Sequence, residues 1–345
     1  MKLFVTGVEG YIGCLLAPFL TARGHEVVGF DTGYYRDGWL FSDRTLVPDF
    51  PRTINGDLRE IQSELLRGVD AVVHLAELSN DPLGENDPDL TFQINHEASV
   101  RLAALAKAAG VKRFVYTSSC SVYGVADGSE PMTEQSPLNP QTAYAKCKTL
   151  VERDVAAMAS RDFAPTFLRN ATAYGASPRM RFDIVLNNLC GVACTTGKIA
   201  MTSDGTPWRP LVHVLDICEA VACVLDAPQD RIQAEVFNVG HDADNYQVRE
   251  IAQIVANVYP GCELSFGPSG GDNRSYRVSF AKIHERLPAF RCTWDARKGA
   301  RQLHDVFARI GMERATFEAR PFTRLKQLKY LSATGQVDER LFWRY

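Results

Sequence analysis

The sequence predicts an α/β protein, a doubly wound parallel sheet with a smaller α/β region interleaved in its second half. Three observations lead there. Apolar runs of strand length alternate with stretches of helical period, the pattern of parallel strands joined by crossover helices. The first such run ends in a glycine-rich turn that opens directly into a helix. The mixture is also that of an ordinary globular chain: 345 residues, 46% hydrophobic and 23% charged, enough for one large domain or two modest ones.

Lys2–Thr6 is the first strand. Gly7-Val8-Glu9-Gly10-Tyr11-Ile12-Gly13 follows, and Tyr11, Ile12, Leu15, Leu16, Phe19 and Leu20 then recur with helical period. A helix N-terminus presents unpaired N–H groups and a positive dipole end, and glycines let the backbone approach a pyrophosphate closely. A tight turn without a ligand would use the same residues; strand, turn and helix in this order point to a dinucleotide. The second strand, Glu26–Phe30, ends at Asp31, 18 residues past Gly13. A carboxylate there accepts hydrogen bonds from the adenosine ribose and repels a 2′-phosphate. With Glu9 nearby it favours NAD over NADP. Arg36 is the opposing signal, and Asp31 could serve only the turn before Gly33.

Next come Ile54–Leu58, strands Ala71–Leu75 and Arg113–Thr117 with helical Leu90–Ala109 between them, a helix from about Ala143 to Met158, and strand Pro165–Arg169. Ligands of such sheets sit outside the carboxyl ends of the strands. Thr6-Gly7, Asp31, Ala76-Glu77 and Ser118-Ser119-Cys120 should therefore share one crevice. On the 143–158 helix, Tyr144 and Lys148 lie four residues apart, which puts their Cβ atoms about 5–6 Å apart on one face. The ammonium favours the phenolate and lowers a pKa that is ordinarily about 10, so the phenol can serve as general acid or base. Alone, the pair is also a common surface pattern.

Beyond this point the rhythm loosens into helical Phe182–Thr195, Lys198–Ser203, apolar Leu211–Leu215, helix Asp216–Leu225, strand Glu235–Val239, helix Val248–Val258, Glu263–Phe266 and helix Arg297–Ile310. The division expected is a dinucleotide-binding domain over 1–170, to which about 205–240 returns, a substrate-binding region over 171–311, and a helical extension over 312–345. That extension carries Leu325, Leu328 and Leu331 at helical spacing and packs on its own domain or on a neighbouring subunit. A net charge of −3 with no long Lys/Arg run argues against nucleic acid. No apolar run reaches membrane-spanning length, and the N-terminus reads as a strand and not as a signal peptide. Nine scattered cysteines without C-x-x-C suit free thiols in a reducing cytoplasm, and the seven histidines show no metal spacing.

Over about residues 1–310 the chain resembles the extended short-chain dehydrogenase/reductases that act on nucleotide sugars, UDP-glucose 4-epimerase-like proteins with a Rossmann-type fold. Thr6–Gly13 resembles T-G-x-x-G-[FY]-I-G, and Gly56-Asp57-Leu58 resembles the adenine-contacting G-D-[LIV]. Val73-His74-Leu75-Ala76 is similar to V-x-H-L-A, Asn95 to the asparagine of the following helix, and Tyr116–Gly124 to F-x-S-S-S-x-V-Y-G. Tyr144/Lys148 falls on Y-x-x-x-K. Gly205…Arg209…His213-Val214…Asp216 resembles G-x-x-x-R-x-x-x-H-V-x-D, Phe237–Gly240 [FY]-N-V-G, and Gly271–Arg274 G-D-x-R.

The resemblance implies NAD held by Gly7, Gly10, Tyr11, Ile12, Gly13, Asp31, Asp57, Leu58, Leu75, Ala76, Asn95, Tyr144 and Lys148. It implies that Tyr144 moves the proton of a sugar hydroxyl while hydride moves to or from nicotinamide. Lys148 would lower the Tyr144 pKa and hold the nicotinamide ribose, and Ser119 would bond the same sugar oxygen. Arg209 and Arg274 would bind the sugar nucleotide's diphosphate, and a homodimer through residues 90–109 and 143–158 is implied.

Departures narrow the reaction. Dehydrating relatives carry an Asp–Glu pair where Cys120 and Ser121 stand, decarboxylating ones a Glu at Ser121, and 3,5-epimerases a Cys at Ser121. Cys120 is either a proton donor or a packed thiol. Glu77 replaces a usually small residue, and Thr172 replaces an asparagine whose nucleotide contact Asn170 could remake. Asn80 and Arg179 or Arg181 are further candidates for the sugar, base or phosphates. The expected activity is a nucleotide-sugar 4-epimerase, with a 4-keto reductase as alternative and a non-catalytic dinucleotide sensor as a third reading.

Overall fold

Strand β1 (Lys2–Thr6) shows why the sheet is covered on both sides. Leu3 and Val5 enter one core and Phe4 enters the other, because side chains alternate along a strand. Val73 and Val72 of β4 (Ala71–His74) divide the same way, as do Val115 and Phe114 of β5 (Arg113–Ser119). The computed structural model describes residues 1–47, 49–79, 87–125, 130–270 and 275–344. With β2 (Glu26–Asp31), β3 (Thr53–Asn55), β6 (Ala164–Asn170) and β10 (Glu235–Val239), these strands form a seven-stranded sheet of order β10-β6-β5-β4-β1-β2-β3, every pair parallel. Helices α1 (Gly13–Ala22) and α5 (Val214–Asp226) supply one face; α2 (Ala98–Ala108) and α3 (Ala143–Ala156) supply the other.

The predicted helical stretch Leu90–Ala109 is helical without a break to Ala108 but changes pitch along the way. A short helix Pro88–Thr91 and a π-helical turn Phe92–Glu97 precede α2. The turn carries Asn95, whose buried carboxamide brackets Leu78, accepting its N–H at 2.8 Å and donating to its carbonyl at 3.0 Å. Of the 205–240 segment, α5 and β10 return to the large sheet. Strand β9 (Trp208–His213) instead lies between β7 (Thr172–Tyr174) and β11 (Asn245–Gln247) in a separate three-stranded sheet. A two-stranded pair of β8 (Lys198–Ala200) and β12 (Glu263–Ser265), with α4 (Val185–Thr196), α6 (Val248–Val258) and α7 (Ala296–Ile310), completes this second region.

The extension folds back on the N-terminal half of its own chain. Leu328 and Leu331 of α8 (Arg324–Ala333), with Val337 and Leu341, form a satellite core with Tyr34, Leu78, Leu90 and Ile94.

Candidate active site

A cavity of about 640 Å³ runs along the carboxyl ends of β1, β2, β4, β5 and β6, a volume in the range of ligand sites. It opens where β1 lies between β2 and β4, so that successive connections leave the sheet in opposite directions. Gly7 makes this junction possible. Its φ is +75°, and a Cβ would stand 2.8 Å from the Ala76 nitrogen. At Gly13 a Cβ would stand 2.0 Å from the Gly7 carbonyl oxygen, so the loop can close only on glycine.

At one end lies Asp31, among Gly7, Gly10, Tyr11, Ile12, Gly13, Asp57 and Leu58. Its carboxylate accepts the N–H of Gly33 at 2.8 Å and of Glu9 at 3.0 Å, which locks the glycine loop to the end of β2. Burial raises its pKa to about 6, against those two hydrogen bonds. Arg36 is turned away from a phosphate role: it pairs with Glu9 at 3.3 Å and donates to the Asn55 side chain at 2.7 Å.

At the other end, α3 begins at Thr142, whose hydroxyl caps the Ala145 N–H at 3.2 Å. One turn later Lys148 is buried, its ammonium 5.4 Å from the Tyr144 ring centroid and 4.5 Å from that of Tyr116. Tyr144, Lys148, Ser119 and Asn170 all line the cavity. Lys148 donates to the Thr117 carbonyl and forms an ion pair with Glu77 at 2.6 Å, both side chains being almost wholly buried. The Tyr116 hydroxyl donates to the same carboxylate at 2.5 Å. Burial raises the Glu77 pKa while Lys148 draws it down. The departure at position 77 therefore places a carboxylate directly on the predicted catalytic lysine. His74 is held neutral, its pKa lowered to about 3 by burial and by Lys148; its ring nitrogens lie 2.7 Å from the Thr6 and Ser99 hydroxyls.

Other expected residues fall on both sides of the wall. Leu75, Ala76 and Arg209 line the cavity. Cys120 does not: its thiol lies 3.2 Å from the Arg169 carbonyl and burial pushes its pKa up, so the proton-donor alternative loses its geometry. Asn95 serves the Leu78 backbone, and Arg179 donates to the carbonyls of Tyr35 and Arg36 over the Trp39 ring. Asn80 and Arg274 lie outside the described residues. The sequence reading missed the roles of Ser118, Tyr34 and Arg324. Ser118 lines the cavity and donates at 2.5 Å to Glu152, which is paired with buried Arg169 at 2.6 Å.

The wall also leaves polar atoms unspent. Among the described residues the Tyr35 hydroxyl, the Ser121 hydroxyl and the Asn170 carbonyl oxygen are buried without a hydrogen-bond partner, and all three residues line the cavity. Such atoms in a cavity of this size, next to a glycine loop at a helix N-terminus and a ribose-type acid, fit a dinucleotide and a second polar ligand.

The NAD dependent epimerase/dehydratase family profile matches residues 3–240. The UDP-glucose 4-epimerase of Corynebacterium glutamicum is 30% identical over 276 residues, covering 75% of this chain and 80% of that protein. Among solved structures, MoeE5 in complex with UDP-glucuronic acid and NAD shares 28% identity at a TM-score of 0.75, over 90% of this chain and 99% of that one. DesIV, the dTDP-glucose 4,6-dehydratase from Streptomyces venezuelae with NAD and TYD bound, shares 25% identity at a TM-score of 0.75, over 90% and 97%.

Proposed function

This chain belongs to the NAD dependent epimerase/dehydratase family, and we propose that within it the protein is an NAD-dependent nucleotide-sugar 4-epimerase. The observation that carries this reading is the state of the carboxylates on the cavity wall. Among the described residues Asp31 is held by two backbone N–H groups, Asp57 by Arg59, Glu77 by Lys148 and Asp183 by Arg181. Elimination needs a free acid–base pair beside the reacting carbon, and the positions for one are occupied by Cys120 and Ser121.

Gly7, Gly10, Tyr11, Ile12, Gly13, Asp31, Asp57 and Leu58 would hold the adenosine and diphosphate portion of NAD, with Lys148 and Tyr144 toward its nicotinamide end. When bound, the cofactor supplies a reversible hydride acceptor for a carbinol carbon. Tyr144 takes the proton of the C4 hydroxyl as that carbon is oxidised and gives a proton back when the ketone is reduced on its other face. Ser119, its hydroxyl anchored by accepting the Ser121 N–H at 3.1 Å, bonds the same sugar oxygen. Lys148 favours the phenolate, and Glu77 tempers that field. Arg209 would bind the substrate's diphosphate.

The test is turnover without added reductant. Purified protein should carry NAD and interconvert C4 epimers of a UDP-sugar, followed by proton NMR. Stoichiometric NADH consumption with a 4-keto sugar nucleotide, and no interconversion, would assign a reductase instead.

A further inference from the structure

The C-terminal arm reaches the cofactor crevice from the far end of the sequence. Arg324, the first residue of α8, lines the cavity although it is only 2% exposed. Its guanidinium donates to the carbonyls of Pro321 and Arg179 at 3.4 and 3.3 Å and lies over the Tyr35 ring at 4.1 Å. The carboxylate whose field acts on it, Asp183, is already engaged by Arg181 through two contacts of 2.9 and 3.1 Å. Arg181 also lines the cavity and donates to the Ser79 carbonyl at 3.3 Å. A buried guanidinium and a partly buried one thus share one carboxylate. Burial and the neighbouring Arg181 lower the Arg324 pKa to about 10, which leaves it charged at neutral pH. A buried cation without a full partner is destabilising until an anion arrives.

The position identifies the anion. Both guanidiniums line the cavity whose wall also includes Gly7, Gly10, Tyr11 and Gly13 at the start of α1. The glycine loop and α1 dipole attract a diphosphate to that same place. The arm then continues over the ribose end. The Tyr34 hydroxyl donates to the Leu341 carbonyl at 2.5 Å, the Gln327 amide to the Tyr34 carbonyl at 3.0 Å, and the Trp343 indole to the Thr32 carbonyl at 2.7 Å. Leu341 has a φ of +61°, a conformation that a leucine keeps only where surrounding contacts enforce it.

We propose that the C-terminal arm is part of the dinucleotide site. Arg324, beside Arg181, supplies positive charge to the cofactor's diphosphate across the cavity from the glycine loop, and residues 336–344 fasten the segment that follows Asp31. The inference rests on the NAD reading above and extends it to residues beyond the matched family profile. It explains how a recycled cofactor would be kept from exchanging.

The test measures NAD retained by the purified full-length chain, released by acid and quantified by mass, and its rate of loss into excess buffer. Arg324→Gln should speed that loss at least tenfold, Arg324→Lys should do so less, and the KM for the sugar nucleotide should stay within twofold. A raised KM with unchanged NAD loss would overturn the assignment and place Arg324 on the substrate's diphosphate. Neither quantity moving in a folded variant would make it a structural cation and overturn it as well. Should Arg324→Gln not fold, Tyr34→Phe deletes only the hydroxyl that holds Leu341. A several-fold faster loss is expected, and wild-type retention in that variant would overturn the fastening role. Wild-type protein that binds no NAD would sink the earlier reading, separately from these comparisons among variants.

Discussion

At the end of the cavity proposed to be catalytic, Tyr144, Lys148 and Ser119 stand on a helix and a strand end joined to the core of the large sheet. At the end proposed for adenosine, the segment Thr32–Tyr34 that follows Asp31 sits beneath a cover whose contacts come from residues about three hundred positions later, through the separate core around Leu328 and Leu341. The first end is held by elements that cannot move without opening the fold. The second is held by a few hydrogen bonds and a small apolar cluster. This difference predicts separable functions, chemistry at one end and cofactor retention at the other, since small satellite clusters open at lower free energy than a main core.

The largest effect should come from Tyr144→Phe. Removing the proton carrier should lower kcat by about 10²- to 10⁴-fold, with bound NAD, measured by mass, unchanged. Full turnover in this variant would remove the catalytic end from the comparison altogether.

Glu77→Gln sharpens it next. The carboxylate opposes the Lys148 charge that favours the Tyr144 phenolate, so its loss should move the acidic limb of the kcat–pH profile to lower pH by about one unit. The other titratable groups around the pair are Tyr116, Cys147 and neutral His74. A limb that stays in place would detach Glu77 from the chemistry.

Asp31 gives a pH signature at the opposite end. Its pKa in the folded protein, about 6, is above the ordinary carboxylate value, so the folded state binds the proton more tightly than the unfolded one. The stability contribution of this group therefore rises as pH falls through about 6 toward 4. NAD affinity should move the other way, weakening several-fold between pH 7 and pH 5 as the carboxylate loses an acceptor. Thermal unfolding and NAD titration calorimetry of wild type against Asp31→Asn, each across this pH range, separate the two, and a wild-type affinity that is flat across that range would contradict the ribose role.

The smallest expected effect is Trp343→Phe, which deletes the indole N–H to the Thr32 carbonyl. At about 1 kcal/mol for the bond, NAD loss should quicken by about fivefold with kcat unchanged. A fall in kcat would show that the two ends are coupled.

The legible part of the site rests on local order. Strand, glycine turn and helix follow one another within Lys2–Ala22, Asp31 ends the next strand, and Tyr144/Lys148 share a helical face. Each pattern is written in neighbouring residues because turn conformation and side-chain period depend on neighbours. The same reasoning found the helical stretch that carries Asn95 but not its change to π pitch over residues 92–97, where the Asn95 side chain brackets Leu78.

What the sequence by itself determined is the sheet, the crevice at its strand ends and the placement of Tyr144, Lys148 and Ser119 on that crevice. Only the tertiary structure decided which charges meet there. Glu77 became the partner of Lys148, Cys120 went behind the wall, and Arg324 reached the cavity from the far end of the chain. Those outcomes follow from the meeting of segments far apart in the chain. Burial then turns a solvated surface charge into one that must find a partner.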